Sequence, residues 1–165
     1  MKYCPECGNK LIDAIVDETK VRKCNNCGYV DWGNLINVAA VVVAFNDKNE
    51  FLMVSLKGRE KGKLTFPGGY RNIGETIEEA AIREFYEETG MRVTDLELYK
   101  FFTKDEQRLL WVVYRGVLPK EIKFVDNNET EEIYLVSKDH RIDESKLRGL
   151  LTKQVYLEIL KWFFS

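Results

Sequence analysis

"FPGGYRNIGETIEEAAIREFYEETGM", residues 66–91, decides how this chain folds. Glycines at 68, 69 and 74 punctuate its first part, and a run carrying glutamates 78, 79, 84, 87 and 88 follows. Thr76 and Glu79 stand in the T-x-x-E spacing of a capping box, so a helix is expected to open at Thr76. Gly90 supplies the stop signal, because a left-handed residue commonly closes a helix. Ile77, Ala81 and Phe85 recur at four-residue steps and predict a face turned to the core. Glu84, Glu87 and Glu88 stand at i, i+3 and i+4, so their carboxylates share one face and repel. A hard divalent cation removes that repulsion. Magnesium and manganese favour such oxygen ligands and keep sites for water and phosphate oxygens.

The rest of the chain bounds what this helix can serve. With 165 residues it is one ordinary domain, or one domain with a small module. Hydrophobic residues at 45% can fill a core, and charged residues at 32% keep the surface polar. A formal net charge of −2 argues against broad electrostatic capture of nucleic acid or an anionic membrane. "VAAVVVAF" (38–45) is far too short to span a bilayer, so no membrane partner is expected. The opening MKYCPECG has no apolar stretch of a secretion signal, and a cytoplasmic, reducing location is expected.

All four cysteines fall in the first 27 residues, as "CPECG" (4–8) and "CNNCG" (24–28). In a reducing compartment such a set binds metal rather than forming two disulfides. The spacing C-x2-C-x16-C-x2-C suits a four-thiolate zinc site formed by Cys4, Cys7, Cys24 and Cys27. Gly8 and Gly28 relax the turn that wraps each pair around one ion. "LIDAIV" and "TKVRKC" read as the two strands of a hairpin between the pairs. About thirty residues cannot build a sufficient core, so a structural Zn2+ is expected. This module resembles a zinc ribbon. Residues 1–34 carry Lys2, Lys10, Lys20, Arg22 and Lys23 against Glu6, Asp13, Asp17, Glu18 and Asp31. The balance favours a scaffold or dimer-contact role at least as much as nucleic-acid binding.

After a boundary expected near "DWGN" (31–34), "INVAAVVVAF" (36–45) reads as a buried strand and "FLMVSLK" (51–57) as its return. "GREKGKLTFPGG" reads as a glycine-punctuated loop. "DLELYKFFTK" (95–104), "RLLWVVYRGVL" (108–118) and "IYLVS" (133–137) read as further strands. Leu147, Leu151, Val155, Ile159 and Phe163 form a stripe that predicts an amphipathic terminal helix over 145–163. Strands and helices mix without regular alternation, so the expected class is an α/β or α+β sandwich.

Residues 69–91 match the Nudix box, G-x5-E-x7-R-E-U-x-E-E-x-G-U with U bulky and apolar, at Gly69, Glu75, Arg83, Glu84, Phe85, Glu87, Glu88, Gly90 and Met91. The chain therefore resembles the Nudix hydrolases, more loosely over 36–165. Leu64 stands where many relatives have tryptophan. The resemblance implies an α/β fold, the Nudix α/β/α sandwich over 35–165 preceded by the ribbon over 1–34. It implies hydrolysis of a nucleoside diphosphate linked to another group. It places Mg2+ or Mn2+ on Glu84, Glu87 and Glu88 with a backbone carbonyl near Gly68, and makes Glu84 a candidate base. It pairs Glu75 with Arg83. It also expects a late-loop acid as ligand or base. Of Glu129, Glu131 and Glu132, Glu131 is favoured at this stage.

A ribbon ahead of such a domain looks like the NADH, FAD or ADP-ribose pyrophosphatase branch. The proline-rich run of the NADH branch is missing from "LYKFFTKDEQRL" (98–109), and no proline lies between Pro67 and Pro119. The expected partner is thus a small-molecule nucleotide, as a dinucleotide or nucleotide sugar. A nucleoside triphosphate pyrophosphatase is the alternative, with a non-catalytic nucleotide sensor or a capped-RNA enzyme as further classes. Lys57 and Arg59 are candidates for phosphate contact. Tyr70, Phe102, Trp111 and Tyr114 are candidates for stacking on a base. His140, the single histidine, has no assigned role. A homodimer is implied by the resemblance alone.

Overall fold

The computed structural model describes residues 1–163, the side chain of Phe163 excepted. The chain divides into two compact units, residues 1–36 and 37–165. In the first, strands β1 (Ile12–Val16), β2 (Thr19–Lys23) and β3 (Val30–Asp31) form an antiparallel sheet in that order. β1 and β2 are the expected hairpin, and β3 is an addition. Its core is small: Cys4, Leu11 and Cys24, with Tyr29 against them.

The second unit is a mixed sheet between two helices. Its strands are β4 (Asn37–Phe45), β5 (Phe51–Leu56), β6 (Leu64–Thr65), β7 (Gly68–Tyr70), β8 (Thr94–Lys104), β9 (Leu109–Val117) and β10 (Thr130–Val136). The main path runs β10-β5-β4-β9-β8, with β6 paired to β5 and β7 to β4. β4 and β9 pair in parallel, and the other pairings are antiparallel. β6 and β7 lie in the stretch expected to be a loop. Their two and three residues are too short to show a period beside so many glycines.

Helix α1 (Ile77–Thr89) covers one face and α2 (Gly149–Phe163) the other. Alternation along β4 divides the core, as strand geometry requires. Ala40, Val42 and Ala44 pack with Ala80, Ala81 and Phe85 of α1. Ala39, Val41 and Val43 pack with Leu151, Val155 and Ile159 of α2. Leu147 joins that cluster from ahead of the helix, after a short 3-10 turn at Glu144–Lys146. The last residue of the expected stripe, Phe163, has its side chain outside the described residues. Among the described residues, no helix is long and apolar enough to cross a membrane.

Candidate active site

The site grows from the two ends of α1. At its start, Thr76 accepts from the Glu79 N–H at 3.1 Å and Glu79 accepts from the Thr76 N–H at 2.7 Å. Gly90 closes the helix at φ 76°. With the helix so fixed, Arg83 becomes the centre of a charge network. Its Nη2 and Nε meet the two oxygens of Glu75 at 2.7 and 3.0 Å, and Nη2 also donates to the Tyr70 carbonyl at 3.0 Å. Its Nη1 meets Glu84 at 2.7 Å and Glu87 at 3.1 Å. These bonds tie the glycine loop to the helix. The Arg83 guanidinium and the Asn72 N–H hold the Glu75 carboxyl down at about 2. Glu75, followed by Glu84, raises the pKa of Arg83.

The three carboxylates sit in different surroundings. Glu87 is exposed, Glu84 largely buried and Glu88 buried. The Glu84 carboxylate lies against the Gly69 Cα: a Cβ there would sit 2.4 Å from its Oε2. Gly68 is as tightly held, since its Cβ would sit 2.4 Å from the Ala40 carbonyl oxygen. Its N–H donates to Glu88 Oε1 at 3.3 Å. Burial, against the opposing pull of Arg83, shifts the Glu84 carboxyl up. Burial pushes Glu88 up to about 8, with the charges of Glu84 and Glu129 adding to it. Oε2 of Glu88 is buried and has no hydrogen-bond partner. A buried carboxylate oxygen without a partner is costly, and a hard cation would satisfy it. The donor set therefore fits Mg2+ or Mn2+, although its carboxylates are at present turned to Arg83 and Gly68.

Glu129 joins this group and Glu131 does not. Asn127 fixes the late loop: its side-chain amide donates to the Glu88 carbonyl at 2.9 Å and its Oδ1 accepts from the N–H groups of Glu129 and Thr130, both at 2.9 Å. Glu129 then lines a cavity of about 600 Å3 that also reaches Glu88, Gly68, Gly69 and Tyr70. Glu131 is exposed at the register shift between Thr130 and Glu132. Lys57 is held by the same loop, with its Nζ 2.8 Å from Asp126 and 2.6 Å from the Asn127 carbonyl. Arg59 is exposed in a short 3-10 turn, Gly58–Glu60. The structure thus brings neither of these cations to the cavity lining. Lys104, Gln107 and Arg148, which sequence reasoning missed, are there. No pattern marks them, because sheet pairing and the α2 terminus gather them from distant segments.

In the first unit the four sulfurs lie within 4.8 Å of one another, with Cys4–Cys27 at 3.4 Å and Cys7–Cys24 at 3.5 Å. These separations exceed the roughly 2.05 Å of a disulfide. They approach the spacing of about 3.8 Å that bonds of about 2.3 Å give around a tetrahedral ion. The side chain and backbone of Asn9 hold the Cys7 thiol down at about 6. The quartet can hold one metal ion.

A sheet between two helices, with a carboxylate helix and a glycine loop facing one cavity, defines the class of fold and site. The chain belongs to the NUDIX domain family, which matches residues 35–153. The NAD-capped RNA hydrolase NudC of Vibrio atlanticus (strain LGP32) is 25% identical over 99 residues, 60% of this chain and 35% of that protein. The NudC of Haemophilus influenzae (strain PittGG) is 32% identical over 101 residues, 59% and 37%. The match thus spans little more than a third of these curated relatives. A NUDIX hydrolase from Nitrosomonas europaea has a TM-score of 0.76 over 93% of this chain and 87% of its own, at 23% identity. An ADP-ribose pyrophosphatase from Streptococcus suis has a TM-score of 0.59 over 77% and 88%, at 19% identity. These structures share the fold.

Proposed function

We propose that this chain hydrolyses the diphosphate linkage of a nucleoside diphosphate derivative, a dinucleotide or nucleotide sugar of the NADH, FAD or ADP-ribose kind. The observation that carries this reading is that Glu88, Glu129 and the Gly68–Gly69 backbone line one cavity of about 600 Å3. A cavity of that size holds a nucleotide.

Glu84, Glu87 and Glu88 would hold Mg2+ or Mn2+, which neutralises phosphoryl oxygens and lowers the pKa of a bound water. Arg83 keeps Glu84 and Glu87 on one side of the helix and ties them to Glu75. Gly68 and Gly69 let the backbone approach the phosphates. Glu129 takes the role expected of Glu131 and accepts the proton of the attacking water. The oxygen of that water bonds to phosphorus, the bridging P–O bond breaks, and two monophosphates leave. In the ribbon, Cys4, Cys7, Cys24 and Cys27 hold a structural Zn2+, since four thiolates leave no position open for substrate.

Phosphorus NMR tests the reading with Mg2+ and a panel of ADP-ribose, NADH, FAD, diadenosine polyphosphates and nucleoside triphosphates. The expected result is cleavage of a linked diphosphate into two monophosphates, lost in Glu88→Gln. Full turnover by Glu88→Gln would remove the carboxylate assignment. Tight binding without turnover would point to a nucleotide sensor.

A further inference from the structure

Arg148 and Lys104 bring positive charge to the cavity lining. The place of Arg148 is fixed from its backbone outward. Its N–H donates to the Leu64 carbonyl at 2.8 Å, beside the parallel bridge between Leu64 and Leu147. Gly149 follows in the left-handed region, at φ 62°, and opens α2. The Arg148 side chain reaches Glu60, which lines the same cavity, and its Nε lies 2.6 Å from that carboxylate. The charge of Arg148 is also felt at Glu88, where it opposes the upward push of burial. A guanidinium carries five N–H donors and no acceptor. Among the described residues, the Nη nitrogens of Arg148 meet no partner.

One residue along β6 and one turn along α2 stand Thr65 and Thr152. Both line the cavity, both are buried, and their hydroxyls meet at 3.0 Å. Two hydroxyls carry two hydrogens, and the bond between them uses one. Among the described residues no acceptor takes the other. A buried donor without an acceptor is costly. This wall therefore offers donors in excess, the chemistry that suits the oxygens of a phosphate.

The ion pair does not close the wall. Its side chains are 49% and 47% exposed, and a pair so open to water holds only weakly. A phosphate that bonds two nitrogens of the planar guanidinium at once displaces such a carboxylate readily.

We propose that Arg148 and the Thr65–Thr152 hydroxyl pair form a subsite for the departing phosphate of the substrate, and that Glu60 holds the guanidinium in place until that phosphate displaces it. When the bridging P–O bond breaks, its electron pair stays on the oxygen of the departing phosphate, and Arg148 faces that charge. The choice of phosphate rests on the hydrolase reading above, but the subsite is tested by binding rather than turnover.

The test titrates inorganic pyrophosphate calorimetrically, with Mg2+, into the wild type and Arg148→Gln, Arg148→Lys, Glu60→Gln, Thr152→Val and Lys146→Gln. Loss of a charge-assisted contact predicts that Arg148→Gln weakens pyrophosphate by about tenfold or more. Arg148→Lys keeps the charge without the fork and recovers part of that loss. Thr152→Val removes one hydroxyl at nearly constant shape and weakens binding by about threefold or more. Glu60→Gln removes the competitor and tightens binding by up to about fivefold. A merely structural pair predicts the opposite sign, because a loosened Arg148 binds less well. Lys146→Gln, the same charge change two residues away on an exposed side chain, stays within about twofold. Arg148 is half-exposed, which keeps the test decisive should the buried Thr152 variant misfold. A wild type that ignores pyrophosphate overturns the subsite. So do equal effects of Arg148→Gln and Lys146→Gln, or weaker binding by Glu60→Gln. An Arg148-dependent affinity without turnover of any diphosphate in the wild type overturns the hydrolase reading and leaves the subsite standing. Turnover with an inert Arg148 does the reverse.

Discussion

Adjacent glycines at 68 and 69 constrain different things. At Gly69 an added methyl meets the Glu84 carboxylate, and at Gly68 it meets the Ala40 carbonyl oxygen. Gly69→Ala is therefore expected to move a side chain, and Gly68→Ala to strain a strand pairing. A displacement of about 1 Å in a reacting group costs about a hundredfold in rate. Kinetics beside thermal melts should show Gly69→Ala losing activity with its midpoint nearly kept, and Gly68→Ala losing stability as well. Glu75 makes a second prediction, in pH. Its carboxyl is held below its ordinary 4.5, at about 2, by Arg83. A depressed folded-state value gives stability that is present above about pH 4.5 and lost as pH falls toward 2. Glu75→Gln should flatten the fall in melting temperature between these values. An unchanged acid limb would remove Glu75 from the account.

Among the elements, α1 was the most legible. Its cap, stop and apolar row are local and keep to one period, and the structure places each at the residue expected. Thr76→Ala should cost about 1 kcal/mol, read as a lower denaturant midpoint at unchanged slope. The strand cores of β4, β5, β8 and β9 were legible for the same reason. The late loop was not. Strand alternation cannot choose between Glu129 and Glu131, because the register breaks between Thr130 and Glu132. The choice depends on Asn127 reaching back to the Glu88 carbonyl, a contact between distant segments. Lys57 is a candidate for phosphate contact in the sequence by its place beside the glycine loop, and its bond to Asp126 is equally nonlocal. On this placement Glu129→Gln should lower kcat by about a hundredfold or more, the scale of acid–base catalysis. Glu131→Gln should stay close to wild type. Equal effects would reject Glu129.

At the scale of the whole molecule, the first unit has too little apolar packing to hold itself. Its buried cluster is Cys4, Leu11 and Cys24, and two of those are expected metal ligands. Chelating the Zn2+ proposed for this unit should release amide protection throughout residues 1–36, measured by hydrogen exchange with and without a chelator. Unchanged protection would show that the hairpin stands on side-chain packing alone. The second unit carries a different debt, set by its parallel pair. Asn37 aligns with Leu109 and Phe45 with Val117, so β4 cannot meet β9 until the chain between them has organised. Pairing across such a separation is slow, because loop closure comes before the contacts that reward it. Meanwhile "VAAVVVAF" waits as an uncharged, strand-prone segment without proline, the composition that drives self-association. The strand at the centre of the finished sheet is thus the most hazardous part of the unfinished one, and refolding yield should fall as protein concentration rises.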